Sequence, residues 1–129
     1  MLGNDQTLQA VLRACARFRQ GLPLMVQALP DNQREQHLAD AAGVPLLFEA
    51  FADRAYLPDG RLAPRQQAGA VHLTAESILA QAIAISRQQA FADIHGQPLL
   101  LKADSLCVHG DNAESLAVLR RLRAQLDCA

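Results

Sequence analysis

Apolar side chains at Leu8, Val11, Leu12, Cys15 and Phe18 recur at intervals of three and four, which lays one stripe along a helix. Asn4 or Asp5 supplies the acceptor that starts it, and Gly21 with Pro23 stops it. Leu24-Met25-Val26 reads as a short strand ending near Pro30. Asn32-x-x-Glu35 has the form of a capping box, so a second helix is predicted to Ala42, closed by Gly43. Val44-Pro45-Leu46-Leu47-Phe48 is the next strand, its proline tolerable only near the start. Gly69-Ala70-Val71-His72 suggests another short one. Thr74 caps a helix whose buried face is Ile78, Leu79, Ala82, Ile83 and Ile85, with Glu76 set against the helix dipole. Residues from Phe91 to Leu101 alternate on either side of Gly96, as in a β-hairpin. Leu106-Cys107-Val108 forms a last strand. Asp111-x-x-Glu114 caps a last helix with Leu116, Leu119, Leu122 and Leu126 as its stripe.

Helices and strands thus alternate with short connections, which predicts parallel βα units rather than a bundle or a sandwich. The 129 residues form one domain, 1–129, of the α/β class with a small β-hairpin insertion.

In such folds ligands collect beyond the carboxyl ends of the strands. Two polar segments lie there. One follows the Val44–Phe48 strand and holds Glu49, Asp53, Arg54 and Tyr56. The other surrounds the last strand and holds Asp104, His109 and Asp111. A histidine beside a carboxylate suits general acid or base work. An arginine binds an anionic group through its planar fork. Each residue also has a structural reading. Asp111 with Glu114 serves equally as a helix cap, His109 as a hydrogen-bonded structural residue, and Asp53-Arg54 as a surface ion pair worth under ~1 kcal/mol. Glu49, Asp53, His109 and Asp111 are of metal-ligating types, but no spacing demands a metal and none is assigned. His37, His72 and His95 have no recognisable partners. The segment from Ala55 to Arg65 turns at Pro58-Asp59-Gly60, and its length predicts an ordered, functional loop.

Composition narrows the classes. The formal net charge is −1 and no basic stripe exists, so nucleic-acid binding has little electrostatic support. Aromatics make up 4% of the chain, which leaves packing to aliphatic side chains. Cys15, Cys107 and Cys128 match no metal motif or disulfide frame, and the first two read as small core residues. No apolar run approaches ~20 residues and no signal-type amino terminus is visible, so the expectation is a cytoplasmic protein that spans no membrane.

Two stretches carry a resemblance. Phe48-Glu49-Ala50-Phe51-Ala52-Asp53-Arg54-Ala55-Tyr56-Leu57-Pro58-Asp59-Gly60-Arg61-Leu62-Ala63-Pro64-Arg65 resembles the central signature of the LamB/YcsF family. Ala103-Asp104-Ser105-Leu106-Cys107-Val108-His109-Gly110-Asp111 resembles its carboxyl-terminal signature, and Gly69-Ala70-Val71 fits between them. The likeness covers essentially the whole chain and is weaker before Val44. It implies a fold similar to the glycoside hydrolase/deacetylase type of distorted β/α barrel. It further implies the A subunit of an ATP-dependent 5-oxoprolinase, which works with subunits B and C to open 5-oxo-L-proline to L-glutamate, ATP being the co-substrate. The resemblance leaves metal dependence undefined. The implied catalytic residues are His109, Asp111, Asp53 and Glu49; the implied substrate-binding residues are Arg54, Tyr56, Arg65 and Asp104.

The family is about twice as long. Its amino-terminal half carries Asp-Leu-Asn-x-Asp, His-Pro-Gly and Lys-Pro-His-Gly stretches that do not occur here. The expectation is a carboxyl-terminal half of a barrel, inactive alone, with open strand edges that associate with a complementary amino-terminal half or with a second copy. Two other readings stand beside it: a non-catalytic module that docks on the partner subunits, and, by fold analogy, a carbohydrate deacetylase-like hydrolase using a divalent ion.

Overall fold

The computed structural model describes residues 4–18, 20–110 and 113–127. Its elements run α1 (Asp5–Phe18), β1 (Leu24–Gln27), α2 (Gln33–Ala42), β2 (Leu46–Phe51), α3 (Ala75–Ser86), β3 (Phe91–Ala92), β4 (Pro98–Leu99), β5 (Ser105–Cys107) and α4 (Ala113–Asp127). The strands β1, β2 and β5 form one parallel sheet in the order β1-β2-β5. The strands β3 and β4 pair antiparallel as a separate hairpin. The α/β class, the parallel pairing and the hairpin therefore match the sequence pattern.

Local signals explain most boundaries. Asn4 accepts the Thr7 amide at 3.0 Å and starts α1. Gly43 ends α2 in the left-handed region at φ 72°, where its amide closes on the last turn. Thr74 accepts the Ser77 amide at 3.2 Å and starts α3. In the hairpin, one carboxylate oxygen of Asp93 accepts the amides of His95 and Gln97 across the Gly96 turn.

Several expectations fail, each for a physical reason. The Asn32–Glu35 capping box does not form. The Asn32 side chain instead reaches back to the Leu29 amide at 2.8 Å and across to the Lys102 carbonyl at 2.8 Å, while Asp31 accepts the Gln33 amide. Phe18 is 82% exposed, so the buried stripe of α1 is Leu8 and Leu12. The second strand starts at Leu46 and runs on through Phe51, because Glu49, Ala50 and Phe51 pair with Ser105, Leu106 and Cys107. In α4 the buried residues are Ser115, Val118 and Leu122; Val118 and Leu122 pack with Ile78, Leu79 and Ala82 of α3, while Leu116, Leu119 and Leu126 stay exposed. The segment 69–72 contributes a single bridge, Val71 to Arg54, rather than a strand.

Side chains alternate across the sheet. Val26, Phe48 and Ala50 are buried in a core with Leu8 and Leu12 of α1, Ala39 of α2 and Ile85 of α3. The opposite face carries Met25 (44% exposed) and Leu47 (37% exposed), which are register partners, followed by Gln27 beside Glu49 and then Phe51. No described element covers that face of Met25 and Leu47, and β1 and β5 are the open edges of the sheet.

The long loop after β2 is ordered by its own backbone. Tyr56 bridges Leu62, the Leu57 amide donates to the Arg61 carbonyl at 2.7 Å, and the Gly60 amide donates to the Leu57 carbonyl at 2.9 Å. Gly60 has φ 88° and lies against the Pro30 ring, so a side chain there would collide as well as strain the backbone. Ala55, Ala63 and Ala70 close a small satellite core beneath the loop.

Candidate functional site

Parallel pairing of β2 with β5 puts Phe51 beside Cys107. Two residues further along both strands, the chain brings Asp53 and His109 together. The Asp53 carboxylate accepts the His109 amide at 3.2 Å and faces His109 Nδ1 at 2.9 and 3.1 Å. Asp53 is buried, whereas a third of the His109 side chain remains exposed. The His109 ring lies almost parallel to Phe51, with centroids 5.8 Å apart and planes 9° apart. A buried carboxylate is tolerable only when donors surround it, and here one residue supplies two. An ionised carboxylate can only accept, so Nδ1 carries the proton and Nε2 of the neutral ring keeps its lone pair. The arrangement is that of a base oriented by a third group.

The corner bearing Asp53 is tied on every side. The Ala52 amide donates to the Cys107 carbonyl at 3.0 Å, and the His72 amide donates to the Asp53 carbonyl at 2.9 Å. The Gln81 amide group donates to the carbonyls of Phe51 and Arg54, and Gln81 Oε1 lies 2.8 Å from His72 Nε2. His72, without a recognisable partner in the sequence, has one in the fold. Sequence reasoning missed Gln81 and the stacking role of Phe51. The signal for Gln81 was present: one amide in the apolar face of α3, between Ile78 and Ile85.

Glu49 lies on the same open face as Phe51, one strand away from Gln27. With Leu8, Met25, Val26, Gln27, Glu35 and Phe51 it lines a cavity of about 430 Å³. The Cys107 thiol lies near the Glu49 carboxylate, and burial, with the negative charges of Glu49 and Asp53, pushes its pKa up. Glu49 and Phe51 line this cavity, whereas Asp53 and His109 meet two residues beyond the paired strand ends, where His109 stacks on Phe51.

The remaining candidates stand elsewhere. Arg54 is buried and turns to its own loop, where Nη2 donates to the Ala63 carbonyl at 2.9 Å. Tyr56 is fully buried. Its hydroxyl oxygen accepts the Phe51 amide at 2.8 Å and its ring meets Phe91 edge-on at 5.5 Å, so it supports the rim from below and offers no surface to a substrate. Burial pushes the Tyr56 phenol far above its ordinary range. Asp104 lies at the amino end of β5, the opposite end from His109, and staples the two strands. Its carboxylate accepts the Phe48 amide at 2.9 Å and its own amide donates to the Phe48 carbonyl at 2.7 Å. Arg65 is exposed in the turn after Pro64. Asp111 lies outside the described residues. Among the described residues no three His, Cys, Asp or Glu side chains converge as metal ligands, and no helix is long and apolar enough to cross a membrane.

Three comparisons bear on this geometry. Over 127 residues the chain is 68% identical to a 5-oxoprolinase A subunit of Pseudomonas aeruginosa, the one numbered 3, covering 98% of this chain and 51% of that protein. It is 49% identical over 127 residues to the 5-oxoprolinase A subunit of Pseudomonas fluorescens, again covering 98% and 51%. Its fold is similar to the crystal structure of a lactam utilization protein from Thermus thermophilus, with a TM-score of 0.80, 29% identity, and coverage of 96% of this chain and 49% of that one. The chain spans about half the length of the curated relatives it matches. The sequence model of the LamB/YcsF family matches residues 1–129, and the chain belongs to that family.

Proposed function

We propose that the chain is part of an A subunit of an ATP-dependent 5-oxoprolinase and supplies the base that lets water open 5-oxo-L-proline to L-glutamate. The observation that carries this reading is the buried Asp53 carboxylate holding His109 by both its amide and Nδ1. The relatives named for that subunit, and the lactam utilization protein that shares the fold, supply the substrate class.

A five-membered lactam resists water because its amide is resonance-protected. ATP supplies a phosphoryl group to the lactam oxygen, which leaves the ring carbon open to attack. His109 Nε2 takes a proton from water as the C–O bond forms, and the same nitrogen returns it to the ring nitrogen as the C–N bond breaks; the γ-glutamyl phosphate so formed is hydrolysed by a second water, which releases inorganic phosphate and L-glutamate. Asp53 holds the ring in the required tautomer and stabilises the imidazolium between the two transfers. Glu49, which lines the cavity beside Phe51, is assigned to a polar edge of the ring.

Phosphate handling is assigned elsewhere. Arg54 faces Ala63 rather than the rim, and Arg65 is exposed in a separate turn. ATP is therefore assigned to other parts of the assembly, including subunits B and C. The open sheet face and the two open edges fit half of a β/α barrel. Its completion belongs to a complementary amino-terminal half or to a second copy, and the chain alone is inactive. The test is 5-oxoproline-dependent turnover in the assembled complex. His109→Asn should lower kcat by about 100-fold or more with the complex intact; unchanged turnover removes the base assignment.

A further inference from the structure

Gln81 lies in the apolar face of α3 and is 6% exposed. An amide buried there is costly unless its polar groups are satisfied. Its hydrogen bonds lead to the corner that carries Asp53. Nε2 donates to the Phe51 carbonyl at 2.8 Å and to the Arg54 carbonyl at 2.7 Å. These two carbonyls bracket Ala52-Asp53. Two acceptors on one side fix which end of the amide is nitrogen, since the flipped form would press oxygen against two oxygens. Gln81 Oε1 then faces His72 Nε2 at 2.8 Å and can only accept, so His72 carries its proton on Nε2. The His72 backbone amide meanwhile donates to the Asp53 carbonyl. Gln81 and His72 thus grip the same corner from two sides.

We propose that Gln81 is a positioning residue for the His109–Asp53 pair: by bridging the carbonyls on either side of Ala52-Asp53, it holds the carboxylate beneath the imidazole. It acts through Asp53 and touches no reacting atom. Its kinetic consequence rests on the hydrolytic reading above, whereas its geometric consequence does not.

The geometric test uses the chain itself, labelled with 15N and 13C. In the unsubstituted chain, scalar couplings across hydrogen bonds should link Gln81 Nε2 to the carbonyl carbons of Phe51 and Arg54, and their absence overturns the bridge. Gln81→Met keeps the size of the side chain and removes both donors. With the fold intact by circular dichroism, His109 should leave the Nδ1–H tautomer for a mixture rich in the Nε2–H form, while the exposed His95 is unchanged. A folded variant that keeps the Nδ1–H tautomer overturns the proposal. If the Met variant does not fold, Gln81→Asn carries the same test, since its amide is one methylene too short to span both carbonyls. In the assembled enzyme, Gln81→Met should lower kcat about tenfold with KM within about twofold. A shifted tautomer with unchanged turnover overturns the hydrolytic reading and leaves the positioning role standing. Lowered turnover with an unshifted tautomer overturns the positioning role.

Discussion

On one face of the β1-β2-β5 sheet, Val26, Phe48 and Ala50 lie sealed under helices; on the other, Met25 and Leu47 stand in water beside Glu49, Phe51 and His109. The same strands build both faces. The sealed face follows the rule of a domain core, and its side chains stabilise the chain as it stands. The open face mixes exposed apolar side chains with a histidine held in one orientation, a combination that adds little to the stability of this chain. A strand that is apolar on both sides, as Leu46-Leu47-Phe48 is, belongs to a sheet covered on both sides. One face thus makes the fold, and the other displays the chemistry at a surface suited to being covered.

Substitutions can break this comparison. The largest effect is expected from Phe48→Ala, which empties a buried site and should cost about 3–5 kcal/mol in chemical denaturation. Phe51→Ala, on the open face, should cost clearly less; equal losses would erase the distinction between the faces. Next comes Tyr56→Phe, which strips the Phe51 amide of its acceptor and should cost about 1–3 kcal/mol.

The same residue gives an alkaline signature. The folded Tyr56 phenol has a raised pKa, so above the ordinary value of 10.0 the unfolded chain gives up a proton that the folded chain keeps, and stability falls as pH rises. Tyr56 is the one tyrosine of the sequence, so its ultraviolet titration reads one site. No tyrosinate band should grow near pH 10.0 while the chain is folded; a normal titration in the native state would contradict the burial.

Asp104→Ala should cost about 1–2 kcal/mol through the Phe48 amide and leave His109 unmoved, because the staple is at the other end of β5. The smallest effect belongs to Met25→Gln with Leu47→Gln. Stability should change by about 0.5 kcal/mol or less, while self-association in sedimentation velocity should fall. A large stability loss would mean that the open face is part of the core after all.

How much of this was legible depends on the range of the interaction. Glycine and capping signals act within a few residues, so Asn4, Gly43, Thr74 and the Gly96 hairpin read correctly from sequence. The meeting of Asp53 with His109 was legible because parallel pairing forces residues beyond neighbouring strand ends together. Asn32 misled because a side chain that caps locally can equally bond a distant carbonyl, here that of Lys102. The α4 leucine stripe misled because the spacing of apolar residues does not say which stripe a neighbouring helix covers. Arg54 and Tyr56 look like ligand-binding residues by type, yet both are spent on holding the loop and the rim. Whether a polar residue faces inward or outward after a strand depends on the loop's own packing, and no period in the sequence encodes that.

The thiol of Cys107 also sets how this surface behaves in air. Oxidants and alkylating reagents attack the thiolate, and burial first, then the negative charges of Glu49 and Asp53, favour the protonated sulfur. A chain with an uncovered apolar sheet would otherwise risk locking two copies together through sulfur. The acid that faces the pocket therefore also helps to keep the neighbouring cysteine chemically quiet, and exchanging Glu49 for a neutral residue would ease the formation of the thiolate while burial still opposes it.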